Sequence, residues 1–105
     1  MKKHMILLIG LSLLSTSVVA YDGVSKGTIT ALRLQSNRVL VSQVNAINPA
    51  NCGSANYLTL EQGDQVYLKN MYAALLTAYA SGRDVELFLT GCRRGYAEIS
   101  EVWVK

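Results

Sequence analysis

The stretch LLTAYASGRDVELFLTGC, residues 75–92, constrains the chain more than any other. It opens with helix formers, meets one glycine, and continues as an alternating strand that ends on a cysteine. Residues 65–81 contain no glycine or proline. Tyr67, Met71, Ala74, Leu75 and Ala78 fall on one side at helical spacing, and Leu68, Tyr72 and Tyr79 widen that stripe. Asp64 stands where an N-cap carboxylate would accept from the first helical amides. Gly82 stands where a left-handed C-cap is cheapest. From Asp84 to Thr90, Val85, Leu87 and Leu89 alternate with Glu86, Phe88 and Thr90, the pattern of a half-buried strand. A helix that hands the chain to a wall strand without a linker belongs to a compact fold with its helix against the sheet.

The rest of the chain supplies the other strands. Residues 27–35, GTITALRLQ, read as a strand whose alternation slips at Ala31-Leu32, the mark of a bulge. Residues 21–26 read as a short lead. After the Ser36-Asn37 turn, residues 38–47 read as a second strand, and residues 48–56 as a polar loop with Pro49 and Gly53. Residues 57–60 read as a short third strand. Residues 91–95, GCRRG, read as a turn, and residues 96–104 as a last strand with a phase change near Glu101. The order is β-β-β-α-β-β. A mainly β chain with one helix between the third and fourth of five strands has the order of an OB-fold, a five-stranded Greek-key barrel. The alternative is an open α+β sheet covered by one helix.

The first 20 residues are expected to be a signal peptide. Lys2-Lys3 is a basic start, residues 5–14 are apolar, and Val18-Val19-Ala20 ends on the small residue a signal peptidase accepts. An apolar run of about ten residues is too short for a membrane-spanning helix. Residues 21–105 then form one small domain, placed in the periplasm or outside the cell. Removing Lys2 and Lys3 leaves eight basic residues against seven acids, so the formal charge of +3 for the whole chain says little about partners. There is no polybasic stripe, which argues against a nucleic-acid partner. A domain this small often needs a covalent staple, and two cysteines in an exported chain, Cys52 and Cys92, read as a disulfide.

Catalytic and metal chemistry find little footing. The one histidine, His4, falls in the expected signal peptide. That leaves no Ser-His or Cys-His nucleophile and no imidazole metal site. No phosphate loop occurs. Asp84/Glu86 and Glu98/Glu101 are the carboxylate pairs that an acid–base glycosidase would need, and both read more simply as solvated strand faces. No metal, no cofactor and no enzymatic activity are expected. The aromatics Phe88, Tyr96 and Trp103 suit stacking on a ligand. Phe88 interrupts an otherwise polar strand face. Arg93-Arg94 reads as a solvated turn.

The segment YAALLTAYASGRDVELFLTGC, followed by a short turn and YAEISEVWVK, resembles the C-terminal half of Shiga-type toxin B subunits. With Asp22-Gly23, Gly27 and the NPANCG loop included, residues 21–105 are similar to subtilase cytotoxin B-like secreted proteins. The resemblance implies an OB-fold subunit that assembles as a ring of five with helices around a pore. It also implies recognition of a host glycan or glycoprotein and delivery of an enzymatic A subunit. Asp22 stands for the family's ligand-binding acid and Ser25, at an offset position, for its serine. Strand four offers Phe88 where the family has a tyrosine. The expected ligand set is therefore Asp22, Ser25, Phe88 and Tyr96. Lys69, Ala73, Leu76 and Ala80 lie on the sparsely charged side of the helix and are the expected oligomer interface. The second function class is an exported structural or interaction module that binds a protein partner.

Overall fold

The computed structural model describes residues 20–105. The expected signal peptide, apart from Ala20, lies outside the described residues. Five strands and one helix follow in the expected order: β1 (Gly23–Leu34), β2 (Arg38–Gln43), β3 (Leu58–Glu61), α1 (Val66–Ser81), β4 (Asp84–Arg93) and β5 (Tyr96–Val104). The sheet closes on itself in the order β1-β2-β3-β5-β4, which removes the open α+β alternative. All neighbours are antiparallel except β3 and β5.

Closure depends on β1 serving two partners. Its first half pairs with β4, from Gly23↔Leu89 to Thr28↔Asp84, and its second half with β2, from Ile29↔Gln43 to Leu34↔Val39. The strand bends between them. Gly27 has φ +152°, and a Cβ there would lie 2.5 Å from the Val44 carbonyl oxygen. A register shift between Ile29 and Ala31 follows, close to the slip expected at Ala31-Leu32. The Gln43 side chain fills the bend: its Nε2 lies within reach of the carbonyls of Ser25 (3.3 Å), Gly27 (3.0 Å) and Val85 (3.2 Å), and its Oε1 accepts from Ser25 Oγ at 2.5 Å.

Several boundaries differ from the sequence reading. β1 starts at Gly23, so residues 23–26 are wall strand and not a lead, because pairing with β4 overrides a glycine-rich local sequence. β2 ends at Gln43, and β4 continues through Cys92 to Arg93. Asp64 does not cap the helix. Gln65 occupies the N-cap position, without a side-chain cap bond. The buried side of α1 is also rotated from the expected stripe. Leu75 and Ala78 are enclosed, with Leu68, Met71 and Tyr72 packed against the core, while Tyr67 and Tyr79 face outward. At the other end Gly82 is the left-handed C-cap, φ +68°, as its position predicts, and it delivers the chain to β4.

The core is built from the inward residues Val39, Val41, Leu58, Leu60, Val85, Leu87, Leu89, Ala97 and Ile99, closed at one end by Leu75 and Ala78. Cys52 and Cys92 are bonded. Their sequence separation of 40 residues corresponds to about 4 kcal/mol of unfolded-state restriction on the chain-entropy account. The bond fastens the loop after β2 to the end of β4. Asn48 clamps Cys52 through two hydrogen bonds of 2.9 Å, and Ser54 N donates to the Gly95 carbonyl.

The two key glycines differ in their neighbours. Nothing lies within 4 Å of a Cβ at Gly82, whereas Gly27 meets backbone. In urea unfolding, Gly82→Ala is expected to cost about 1–2 kcal/mol, the left-handed penalty alone. Gly27→Ala is expected to cost about 3 kcal/mol or more, because strain and collision add. Equal losses for the two variants would contradict this account of the bend.

Candidate functional site

The outer face of the β1-β4-β5 wall carries the most organised surface group. On β4, Leu87 and Leu89 point into the core, so Phe88 between them points out. Register places Val24 and Glu101 beside it, and Trp103 beside Glu86. Tyr21, just before β1, meets the Phe88 ring edge-on at 5.1 Å between centroids, and Trp103 lies tilted against its other side at 5.6 Å. The three rings form a continuous patch. Tyr21 is 36% exposed and Trp103 51%, while Phe88 between them is half-buried.

One carboxylate holds the patch together. The Tyr21 hydroxyl donates to Glu101 Oε1 at 2.6 Å, and Trp103 Nε1 donates to Glu101 Oε2. These bonds, Tyr21's first and then Trp103's, hold the Glu101 carboxyl below its ordinary 4.5. The same bond pushes the Tyr21 hydroxyl above its ordinary 10.0. Asp22 lies alongside: its amide donates to the Leu89 carbonyl at 2.8 Å, and its Oδ2 accepts from Gly91 N at 2.5 Å. Flat apolar rings, a fixed carboxylate and a second carboxylate at the rim suit a ligand with one apolar face and several hydroxyls.

The four residues expected to bind ligand do not form one site. Asp22 and Phe88 come together at the patch. Ser25 is fully buried, donates to Gln43 and accepts from Ile47 N at 3.3 Å, so it is a structural residue without a surface for ligand. Tyr96 sits at the far end of the β4–β5 hairpin, about 17 Å from Phe88 by the five residue steps along the strand from Phe88 to Arg93, the register partner of Tyr96. There the Arg38 guanidinium lies 4.8 Å over the Tyr96 ring, and its buried Nη1 has no hydrogen-bond partner. Arg94 pairs with Glu61 at 2.6 Å beside it.

Tyr21 joins the site although sequence reasoning does not select it, Glu101 enters it only as one of the carboxylates weighed for acid–base chemistry, and Trp103 only as one aromatic among three. The two-residue step from Glu101 to Trp103 on a strand is a local signal that they share a face. The contact of Tyr21 with Glu101 spans 80 residues and has no local signal. Of the other carboxylates considered for acid–base chemistry, Glu86 pairs with Lys105 at 3.0 Å and Glu98 with Arg93 at 3.4 Å. The helix residues expected at an oligomer interface, Lys69, Ala73, Leu76 and Ala80, form one exposed stripe.

No family model, no curated protein and no solved structure matches this chain.

The pH behaviour of the patch follows from the sign of each shift. Glu101 binds protons less readily in the folded chain, so its two hydrogen bonds are intact above pH 4.5 and fail as pH falls through its lowered value. The Tyr21 bond is intact below pH 10.0 and fails as the hydroxyl ionises above that. Trp103 is the one tryptophan. Its fluorescence is expected to stay flat near neutrality and to change with a midpoint below pH 4.5, a step that Glu101→Gln abolishes. A midpoint above 4.5 would contradict the arrangement.

Proposed function

We propose that this chain is an exported, non-catalytic binding subunit that recognises a glycan through the Tyr21–Phe88–Trp103 patch. The observation that carries this reading is the three-ring surface organised around the Glu101 carboxylate. Sugars offer an apolar C–H face to a ring and hydroxyls to a carboxylate, and here Phe88, Trp103 and Glu101 stand on strands, with Tyr21 just before β1. Asp22 at the rim is a further acceptor. The strand order and the closed sheet support assignment as an OB-fold barrel, and the toxin B-subunit resemblance supports a host glycan or glycoprotein as ligand and an enzymatic A subunit as partner. The leader-like residues 1–20 and the Cys52–Cys92 bond support export by signal-peptide cleavage near Ala20 to the periplasm or beyond.

Assembly with further copies of the chain is part of this reading, with five copies resting on the resemblance. Two features support it. The stripe of Lys69, Ala73, Leu76 and Ala80 leaves Leu76 45% exposed on a face with one charge. Two strand edges are also open. Among the described residues, β1 from Ala31 to Leu34 pairs only with β2, and β5 beyond Ile99 pairs only with β4. Two separate open edges on one chain suit head-to-tail pairing, which closes into a ring when the rotation allows.

On a glycan array the purified protein is expected to bind a restricted set of glycans, and Phe88→Ala to lower that binding about tenfold while the thermal midpoint stays within a few degrees. Full binding by the variant would refute the patch. Binding to no glycan would favour the second class, a module for a protein partner. Light scattering on the same preparation is expected to give a mass several times that of one chain, and a single-chain mass across the micromolar range would remove the assembly claim.

A further inference from the structure

Where β3 and β5 part, the wall of the sheet opens into a groove of about 290 Å³. The two strands pair only at Leu58↔Ala97 and Thr59↔Glu98, and past these β3 runs toward the start of α1. Leu68 and Met71 from the helix and Ile99 from β5 form an apolar floor, and Tyr67, 60% exposed, stands at its edge. The polar lining consists of Glu61, Glu98, Thr90 and Ser100.

The state of each polar group narrows the occupant. No cationic side chain lines the groove and two carboxylates do, so an anion is disfavoured. Both oxygens of Glu61 are engaged, one by Arg94 and one by the Thr59 hydroxyl, so this residue has little left for a cation. Glu98 gives one oxygen to Arg93 and keeps the other without a partner among the described residues. Ser100 Oγ donates to Thr90 Oγ1 at 2.8 Å, which leaves the Thr90 hydrogen to donate and the Ser100 oxygen to accept. The groove therefore offers one open carboxylate oxygen, a donor, an acceptor, an apolar floor and an aromatic ring. Those are the complements of a neutral polyol with one apolar face, and the volume sits just under the lower end of ordinary ligand pockets.

The groove continues from the aromatic patch. Thr90 is two residues beyond Phe88 on the same outward face of β4, a step of about 7 Å. Ser100 adjoins Glu101 on β5. We infer that the groove is a second saccharide subsite, one that accepts an uncharged sugar ring next to the ring held by the patch. Glu98 and the Thr90–Ser100 pair take its hydroxyls and Tyr67 covers its apolar face, so the protein reads a glycan of at least two residues. This inference rests on the saccharide reading of the neighbouring patch.

The test uses methyl β-galactopyranoside, methyl α-glucopyranoside, lactose and maltose as neutral probes at millimolar concentration against the exported protein. Amide resonances in NMR report the groove and Trp103 fluorescence reports the patch. At least one probe is expected to shift the amides of Tyr67, Thr90 and Ser100. Tyr67→Ala and Glu98→Gln are each expected to weaken that response about fivefold while the Trp103 response is unchanged. A disaccharide that moves both reporters is expected to lose, in these variants, its advantage over the monosaccharides. A Trp103 response with unmoved groove amides, or groove shifts untouched by both substitutions, overturns the subsite and leaves the patch standing. Groove shifts without any Trp103 response support the subsite and remove the patch. Silence from both reporters with every probe overturns both.

Discussion

The amide of Gln43 is the contact on which the closed sheet depends. A strand that changes partner in mid-course leaves backbone carbonyls at the crossing with no ladder to join, and a buried carbonyl without a donor costs about 1–3 kcal/mol. In β1 that crossing falls between Thr28 and Ile29. The Gln43 side chain, only 6% exposed, reaches carbonyls on both β1 and β4 and accepts a hydrogen bond from the Ser25 hydroxyl in return. Gly27 makes the geometry possible because it has no Cβ to meet the Val44 carbonyl. A hydrophobic residue at 43 would leave those carbonyls without the amide, and a side chain at 27 would meet the Val44 carbonyl, so each change weakens the crossing.

The position of the aromatic patch depends on the same crossing. The half of β1 held against β4 is the half that begins at Gly23, directly after Tyr21 and Asp22. Its pairing sets Tyr21 against Phe88 and brings the tyrosine hydroxyl to Glu101 on β5. The patch is thus assembled from three segments that meet only when β1 pairs with β4 and β4 with β5. The disulfide acts nearby: it pins the loop after β2 beside Gly23, where Ile47 and Pro49 lie within 3.4 Å of the position of an added Cβ.

Much of this was legible where physical signals are local. The alternation of residues 84–90 placed Phe88 outward between two core leucines, and the lone glycine after a long helical run marked the turn into β4. The outward stripe from Lys69 to Ala80 was equally readable from helical spacing. The disulfide followed from the number of cysteines and the expected compartment. What was not legible has long-range causes. GVSKG carries little strand propensity, so the first half of β1 exists through its partner. Ser25 has the chemistry of a ligand contact, and only burial shows that its hydroxyl is spent on Gln43. Gln43 itself sits in RVLVSQV beside another polar residue, Ser42, with nothing nearby to reveal three carbonyls from two strands. Tyr67 and Tyr79 read as inward because the helical stripe was wide, and packing chose a narrower one.

Hydrogen–deuterium exchange on Gln43→Leu tests directly whether the Gln43 crossing holds the wall that carries the patch. Protection is expected to fall mainly in residues 22–28 and 85–91, with β2 and β3 nearly unchanged, and Trp103 fluorescence to shift toward a more solvated value. A loss of protection spread evenly over the sheet would contradict this role of Gln43, as would a variant whose exchange and fluorescence match those of the parent.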